Sequence, residues 1–557
     1  MKRGPSMRRT VNTLPLVLTA VAAASPSSAQ VRLDRADPSI TQQALPQPVI
    51  PVEQAPRPTL IPSAGTSSSR AEAIPRIASA IVIDGNAEIA TSAFASSLVT
   101  YIGRDLSSED LSQLAGAVAA TARTAGYPFA SATIEPQTMT DGILHVTLDE
   151  GRIAAVRVIG AINPLADRIL TQALVTDHAV RSASLERAIL LVGDIPGLTV
   201  KDSKFSRQNG FGILLVTVSE DRASAYAQID NRGSAEVGPI RSTLLASLRG
   251  LAQSGDELGL IAALTPLQPS EFAFLRARYS APIDAEGGVV TISGAYGRAN
   301  PGASLAPLDV VGNSVDIAVS YDRPLLRSRQ RSMWGNLAFR ALKSDQTLLG
   351  SDLRDDRLTT LTASLHGVAK AGSGTLRGEL AFVGGLPLAG VSHEGDAMTS
   401  RSDGDARFAV WNYTVDWTAD VGGPFAIALA SSGQLASRPL LATVEIGAGG
   451  PAFGRAYDYA ERTGDQGVLG SAEFRANLGR LSGILTRFQL YGFVDGGYVD
   501  NLRGGVGGGS LLSTGTGARL GHGLLDGMIE VALPLNQDRF DTGTKRPRVS
   551  FRVSRVF

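Results

Sequence analysis

The stretch Arg487-Phe488-Gln489-Leu490-Tyr491-Gly492-Phe493-Val494-Asp495-Gly496-Gly497 decides the fold of this chain. Phe488, Leu490, Gly492 and Val494 alternate with Arg487, Gln489, Tyr491 and Phe493, a period of two that belongs to a strand. Asp495 falls on the face of Arg487 and Gln489. The pattern recurs on either side. Val315, Ile317, Val319 and Tyr321 alternate with Ser314, Asp316, Ala318 and Ser320. Trp411, Tyr413, Val415 and Trp417 alternate with Asn412, Thr414, Asp416 and Thr418, and Ala472, Phe474, Ala476 and Leu478 with Ser471, Glu473, Arg475 and Asn477. No helical pattern interrupts these strands, as for a sheet closed on itself in lipid. A soluble β-sandwich also alternates. Against it stand Trp411, Trp417 and Tyr321 near strand ends, which suit an interfacial girdle, and faces that are polar along whole strands, which suit a wet lumen. Residues 222–557 accommodate about sixteen antiparallel strands of roughly 21 residues, loops included. The last segment sets Val549, Phe551, Val553 and Phe557 on one face. The expected fold is an all-β transmembrane barrel.

Upstream of residue 222 the periodicity becomes mixed. Residues 76–152 read as a compact α/β module: strand Ile81–Ile83, helices Ser92–Ile102 and Ser107–Ala125, then strands Ala130–Glu135 and Gly142–Leu148. Residues 153–221 repeat the order, with strand Ile153–Ile159, helices Asn163–Ala173 and Ser184–Val192, and strands Val200–Phe205 and Gly212–Val218. Residues 30–75 are punctuated by eight prolines, from Pro38 to Pro75, and read as an extended tether that buries little. Within it only Pro38–Leu45 could form a short helix, and it has no clear apolar stripe. Residues 1–29 read as a secretory signal: Lys2, Arg3, Arg8 and Arg9 precede an apolar run, Leu14–Ala24, and small residues Ser27-Ser28-Ala29. That run falls short of the ~20 residues a spanning helix needs.

Composition excludes several functions. Lys+Arg and Asp+Glu both number 52, so no charge bias points to nucleic acid. Cysteine is absent, which removes thiol nucleophiles and zinc-thiolate sites. The five histidines are scattered, with no metal-ligand pair. No nucleophile elbow or P-loop occurs. Arg503–Gly509 lacks the Lys-Ser/Thr of a phosphate cradle, and Ser402–Asp405 is too short for a calcium loop. No catalytic residue, cofactor or metal is expected.

Several ordered motifs resemble the two-partner secretion transporters of the ShlB/FhaC/HecB haemolysin secretion/activation family, relatives of the outer-membrane barrel-assembly proteins. The first module, with Ile83-Asp84-Gly85-Asn86, Gly126-Tyr127-Pro128, Glu135-Pro136-Gln137, Asp141-Gly142-Ile143-Leu144 and Glu150-Gly151-Arg152-Ile153, resembles the family's POTRA domain. Asp194-Ile195-Pro196-Gly197-Leu198 resembles a segment of its second POTRA domain, and Asp230-Asn231-Arg232-Gly233-Ser234 its first barrel strand. Gly454-Arg455-Ala456-Tyr457 resembles the tip of the sixth extracellular loop, Val-Arg-Gly-Tyr, with Gly454 and Ala456 departing from it. Phe493-Val494-Asp495-Gly496-Gly497 resembles the Phe-x-Asp-x-Gly strand motif. The resemblance implies that Arg455 and Tyr457 anchor the loop inside the barrel and that Phe493, Asp495 and Gly497 form the inner-wall partner. A two-pronged contact between Arg455 and Asp495 would hold the loop.

The resemblance also implies a secretion pore in the outer membrane of a Gram-negative bacterium, its POTRA domains in the periplasm. Its partner would be an exoprotein with an amino-terminal secretion domain, captured unfolded on POTRA strand edges. Other expected partners are outer-membrane lipid and the barrel-assembly machinery that inserts it, and the chain would act as a monomer. No nucleotide site is visible, so folding of the cargo outside would supply the energy. In many such exporters an amphipathic helix before the tether plugs the pore. An assembly factor of the same superfamily and a passive porin are the alternatives. Two POTRA-like modules favour the exporter over the assembly factors, and the Arg455 and Asp495 motifs disfavour the porin.

Overall fold

A computed structural model describes residues 33–34, 37–44, 59–60, 77–208, 211–481, 483 and 485–557. The signal segment and most of the Pro-rich tether lie outside the described residues.

The first module places strand Ala80–Asp84 parallel to Ile143–Asp149, which pairs on its other side with the short antiparallel strand Ser131–Thr133. Helix Ser108–Thr124 opens with a reciprocal cap, in which Ser107 Oγ accepts from Asp110 N and Asp110 Oδ2 accepts from Ser107 N. Its face of Leu114, Val118 and Ala122 packs on Leu144, Val146 and Leu148. The expected helix Ser92–Ile102 is broken into the 3-10 turns Thr91–Phe94 and Val99–Tyr101 around Ala95–Leu98. No side chain caps these turns, and β-branched Val99 and Thr100 oppose continuation.

The second module repeats the plan with strands Ala155–Ile159, Leu198–Gln208 and Phe211–Glu220 and helices Pro164–Leu174 and Ser182–Gly193. The modules share packing: Phe129 of the first stacks on Phe205 of the second at 4.0 Å between ring centroids. Beside it, Arg207 Nη2 donates to Phe129 O. The second sheet carries a fourth strand that does not come from the module. Thr59–Leu60 of the tether pairs in parallel with Lys204 and Phe205 of the outer strand.

Sixteen antiparallel strands, from Ala223–Asp230 to Arg548–Val556, close into a barrel. The last pairs with the first from Arg552↔Asp230 to Val556↔Tyr226. Ile292, Ile317, Phe339, Trp411, Phe474 and Val549 lie exposed on the outside, as a lipid-facing belt requires. The alternate positions Asp316, Glu473, Asp495 and Glu530 are buried within. The second module leads directly into the first strand and sits against the turns at that end. Arg327 Nε and Nη2 reach Asp194 at 2.7 and 2.6 Å, and Arg329 Nη1 reaches Glu186 at 3.3 Å.

Candidate functional site in the barrel lumen

At the end opposite the modules, residues 437–465 form the sixth loop. A two-stranded ribbon, Ile446–Ala448 with Arg462–Gly464, carries its tip inward. Three glycines, Gly449, Gly450 and Gly454, take positive φ and permit the reversal. Gly449 has φ +103° and a Cβ there would lie 2.1 Å from Asp458 O; Gly454 has φ +77°. The glycine that departs from the family's tip sequence thus occupies a backbone conformation that a valine strongly disfavours.

The tip rests on the inner wall made by strands Gln466–Gly479, Arg487–Asp500, Gly509–His522 and Leu525–Pro534. Tyr457 is fully buried, and its hydroxyl lies 3.2 Å from Leu512 O, Asn536 Oδ1 and Gln537 O. Asp495 Oδ1 accepts from the backbone N–H of Gly454 at 3.1 Å and of Arg455 at 3.2 Å, and from Ser513 Oγ. The Arg455 guanidinium lies 4.1 Å from the centroid of the Phe493 ring. Beneath, Gly497 leaves room for the neighbouring strand, since a Cβ there would lie 2.4 Å from Val468 O.

The expected two-pronged pairing of Arg455 with Asp495 is not the geometry observed. Nε approaches Asp495 Oδ2 at 3.0 Å without alignment as a hydrogen bond, so this contact is an ion pair. Nη1 goes instead to Glu473 Oε2 at 2.8 Å and to Glu530 Oε2 at 3.3 Å. The guanidinium is divided among three wall carboxylates because strands 466–479 and 525–534 also present acids inward at this level. Arg519 Nη1 shares Glu473 at 2.8 Å, and Arg232 pairs with Glu530 while donating to Arg455 O at 3.1 Å. Arg232 belongs to the Asp230–Ser234 motif, of which only Asp230 lies in the first strand, Ala223–Asp230; the loop that follows this strand buttresses the tip.

Sequence reasoning missed three groups. Glu473 was legible only as a residue of a polar strand face, without a destination, and no motif pointed to Glu530. Arg401, on the far-side loop between strands Gly374–Gly385 and Ala409–Gly422, is 5% exposed at its side chain; its Nη1 contacts Asp465 at 2.9 Å and Glu445 at 3.0 Å, and its Nη2 donates to Leu502 O at 2.7 Å. It joins three loops. The third group is the tether's own start. Helix Pro38–Thr41 lies inside the barrel, with Asp37, Ser39, Ile40, Thr41 and Gln42 buried. Ser344 Oγ donates to Asp37 at 2.8 Å, and Arg354 pairs with both Asp34 and Asp37. Ile40 packs against Ala442 and Ala460 of the sixth loop. An apolar stripe was the wrong criterion for this segment, because a polar lumen selects polar side chains. Beside it remains a lumen cavity of about 1080 Å³ lined by Gln43, Arg241, Arg340, Arg455 and Glu530 among others.

A family model described as "Haemolysin secretion/activation protein ShlB/FhaC/HecB" matches residues 212–520, and one described as "POTRA domain, ShlB-type" matches residues 77–151. The Heme/hemopexin transporter protein HuxB of Haemophilus influenzae strain 86-028NP is 23% identical over 424 residues, 75% of each chain. Among solved structures, CdiB from Escherichia coli is similar at a TM-score of 0.70 and 16% identity, covering 96% of this chain and 99% of its own. CdiB from Acinetobacter baumannii is similar at 0.60 and 16%, covering 99% and 100%. BamA from Haemophilus ducreyi lacking POTRA domains 1–3 is similar at 0.53 and 12%, covering 86% and 100%.

Proposed function

Because the chain belongs to the ShlB/FhaC/HecB haemolysin secretion/activation family of outer-membrane transporters, we propose that it captures one unfolded exoprotein in the periplasm and passes it through the barrel to the cell surface. The observation that carries this reading is a lumen occupied twice over, by the Arg455 loop tip and by residues 33–34 and 37–42, above two modules whose sheets have strand edges. A passive porin has no use for such closures. An extended chain fits a polar lumen of this kind, and backbone pairing on a strand edge recognises an unfolded segment with little demand on its sequence.

Residues 1–29 act as a cleaved secretory signal. Residues 30–75 act as a leader whose Asp34 and residues 37–42 sit in the barrel lumen, correcting the reading of a tether that buries little, and whose remainder serves as the periplasmic linker. Residues 76–152 and 153–221 act as the two POTRA domains, and 222–557 as the pore. Arg455 and Tyr457 hold the sixth loop against Phe493, Asp495 and Gly497 in the resting state, and the loop resets during export. The chain performs no catalysis and hydrolyses no nucleotide; cargo folding outside drives transport. It works as a monomer inserted by the barrel-assembly machinery.

The reading predicts that a reading frame beside this chain's own encodes a large exoprotein, and the test is that protein's export and binding. Deleting the transporter should strand that exoprotein in the periplasm. Calorimetry should show its unfolded amino-terminal fragment binding the purified transporter, with the affinity reduced by the cost of ordering the fragment. Unchanged secretion in the deletion strain, or no binding to the fragment, overturns the reading.

A further inference from the structure

One stretch of the barrel's outer wall is charged near its extracellular end. It spans four neighbouring strands, Val289–Ala299, Val310–Arg327, Arg331–Leu348 and Ser351–Ala371. The turn after Arg327 lies at the module end, so residue numbers rise outward along 331–348 and fall outward along 351–371. Arg298, Lys343 and Arg357 are exposed, while their strand neighbours Ala299, Leu342, Ser344, Asp356 and Leu358 are buried within. Alternation therefore points the three cations away from the lumen. We propose that they form a binding site for the phosphate groups of a glycolipid in the outer leaflet of the outer membrane. The inference rests on the outer-membrane barrel and not on the export reading.

Three observations support it. The first is register. Lys343 and Arg357 lie directly opposite each other, and Asp345 and Asp355 do so one step further out. Like charges directly opposite are destabilising. Each cation turns to the acid on its own strand: Lys343 Nζ lies 3.2 Å from Asp345 Oδ1, and Arg357 Nε lies 3.1 Å from Asp355 Oδ2. The two cations remain neighbours on the membrane side of these acids, and an anion between them relieves the repulsion.

The second is Arg298, whose guanidinium makes no hydrogen bond or ion pair among the described residues. Its register partner Asn313 is committed elsewhere, accepting from Tyr296 Oη at 3.2 Å and donating to Asp345 Oδ2 at 3.1 Å. The third is level. Ile317, Phe339 and Leu361 stand exposed on the same wall below the cations, so the patch continues the lipid-facing belt. Basic side chains on a lipid-facing wall are costly at the midplane and cost little at the interfaces, which places these three at the headgroups.

A guanidinium offers phosphate paired donors that an ammonium cannot. Arg298 and Lys343 sit on strands two apart, about 10 Å laterally at the spacing of neighbouring strands. Two cationic points so separated suit a disaccharide phosphorylated at both ends, its acyl chains running down over Ile317 and Phe339. A free phosphate fills one point and leaves the apolar wall beneath it uncovered.

The full-length protein, purified in detergent, is titrated with bisphosphorylated lipid A, with the same lipid stripped of both phosphates, and with inorganic phosphate. Bound lipid is counted by native mass spectrometry. Wild type should hold the bisphosphorylated lipid about tenfold or more tightly than the stripped one, the scale expected when basic side chains face anionic lipid. The triple variant Arg298→Gln/Lys343→Gln/Arg357→Gln should lose that preference. Arg503→Gln, which changes an exposed arginine off this wall, should keep it. Excess inorganic phosphate should leave the lipid bound. Heat-modifiable migration shows whether the triple variant is folded, and if it is not, the wild-type comparison of the two lipids decides alone. Equal binding of the two lipids overturns the proposal, as does a folded triple variant that keeps the preference. Displacement of the lipid by inorganic phosphate overturns the glycolipid assignment and leaves a simple anion site. None of these outcomes touches the export reading, which is judged by exoprotein in the medium.

Discussion

Arg455 is 11% exposed at its side chain and faces Asp495, Glu473 and Glu530 at once. A guanidinium so placed offsets three buried carboxylates, and truncating it leaves them without that neighbour, a loss typically of about 3–5 kcal/mol for a buried pair broken on one side. Arg455→Ala should therefore release the loop and cut secretion more deeply than Asp495→Ala, because Glu473 and Glu530 are also deprived. The double variant should be only slightly worse than Arg455→Ala, since the Asp495 contact is lost in both. Arg455→Lys should rescue poorly, because one ammonium cannot span carboxylates on separate strands. The readout is exoprotein in the medium normalised to folded transporter. Equal single-variant defects that add fully would show that the two residues act apart. Tyr457→Phe is the milder case: it removes a buried hydroxyl within 3.2 Å of three acceptors and should destabilise the closed tip by about 1 kcal/mol. That change is read as faster hydrogen exchange at the Gly454 and Arg455 amides.

Among the elements, helix Ser108–Thr124 depends on its cap. Hydrogen bonds from the Ser107 side chain and backbone hold the Asp110 carboxyl below its ordinary value. A carboxyl lowered in the folded state stabilises above its unfolded pKa and loses that contribution as pH falls through the folded value. Ser107→Ala should thus lower the melting temperature of the first module at neutral pH, because it removes the cap's acceptor for the Asp110 N–H. The difference from wild type should shrink under acid, as measured by circular dichroism. The lumen segment is held differently. Asp34 and Asp37 share Arg354, which is 6% exposed at its side chain. Arg354→Leu leaves two acids beside an apolar group in a buried site, so residues 33–42 should leave the barrel. A cysteine placed at Ser39, buried in the parent protein, should become reactive to a soluble maleimide in that background and stay protected without it.

Across the whole molecule, closure of the barrel and filling of its lumen make separate predictions. Sixteen strands hydrogen-bonded in a ring leave no free barrel edge, so the protein should migrate as a compact species without heating and as a slower one after it. The wild-type pore should conduct weakly in planar bilayers, because the loop tip and residues 33–34 and 37–42 occupy the space beside the cavity of about 1080 Å³. Deleting residues 33–44 should raise the single-channel conductance, and deleting the loop tip as well should raise it further. Equal conductance in all three forms would place the ion path elsewhere. The salt bridges from Asp194 to Arg327 and from Glu186 to Arg329 join the second module to the barrel turns.

The sequence by itself determined the barrel, because a period of two repeated over strands such as 314–321 and 471–478 has one solution in lipid. It also carried the order of strands and helices in the two modules, because helix-face residues such as Leu114, Val118 and Ala122 follow from local patterning; strand limits did not, since Ala130–Glu135 is observed as Ser131–Thr133 and Val200–Phe205 as Leu198–Gln208. Arg455, Tyr457, Phe493, Asp495 and Gly497 were legible as ordered motifs. How they meet was decided only by the tertiary structure. The alternation of a strand fixes which side chains face inward and leaves open their height around the barrel, and that height is what brings Glu473 and Glu530 level with Arg455. Contacts made by the tether were hidden for a related reason. Asp34 and Asp37 meet Arg354 across more than three hundred residues of sequence, and Thr59–Leu60 pairs with Lys204–Phe205 through backbone groups that every residue carries. Neither contact leaves a local signature, because polar-to-polar pairing in a lumen and main-chain pairing on an edge both dispense with the apolar periodicity from which a single sequence is read.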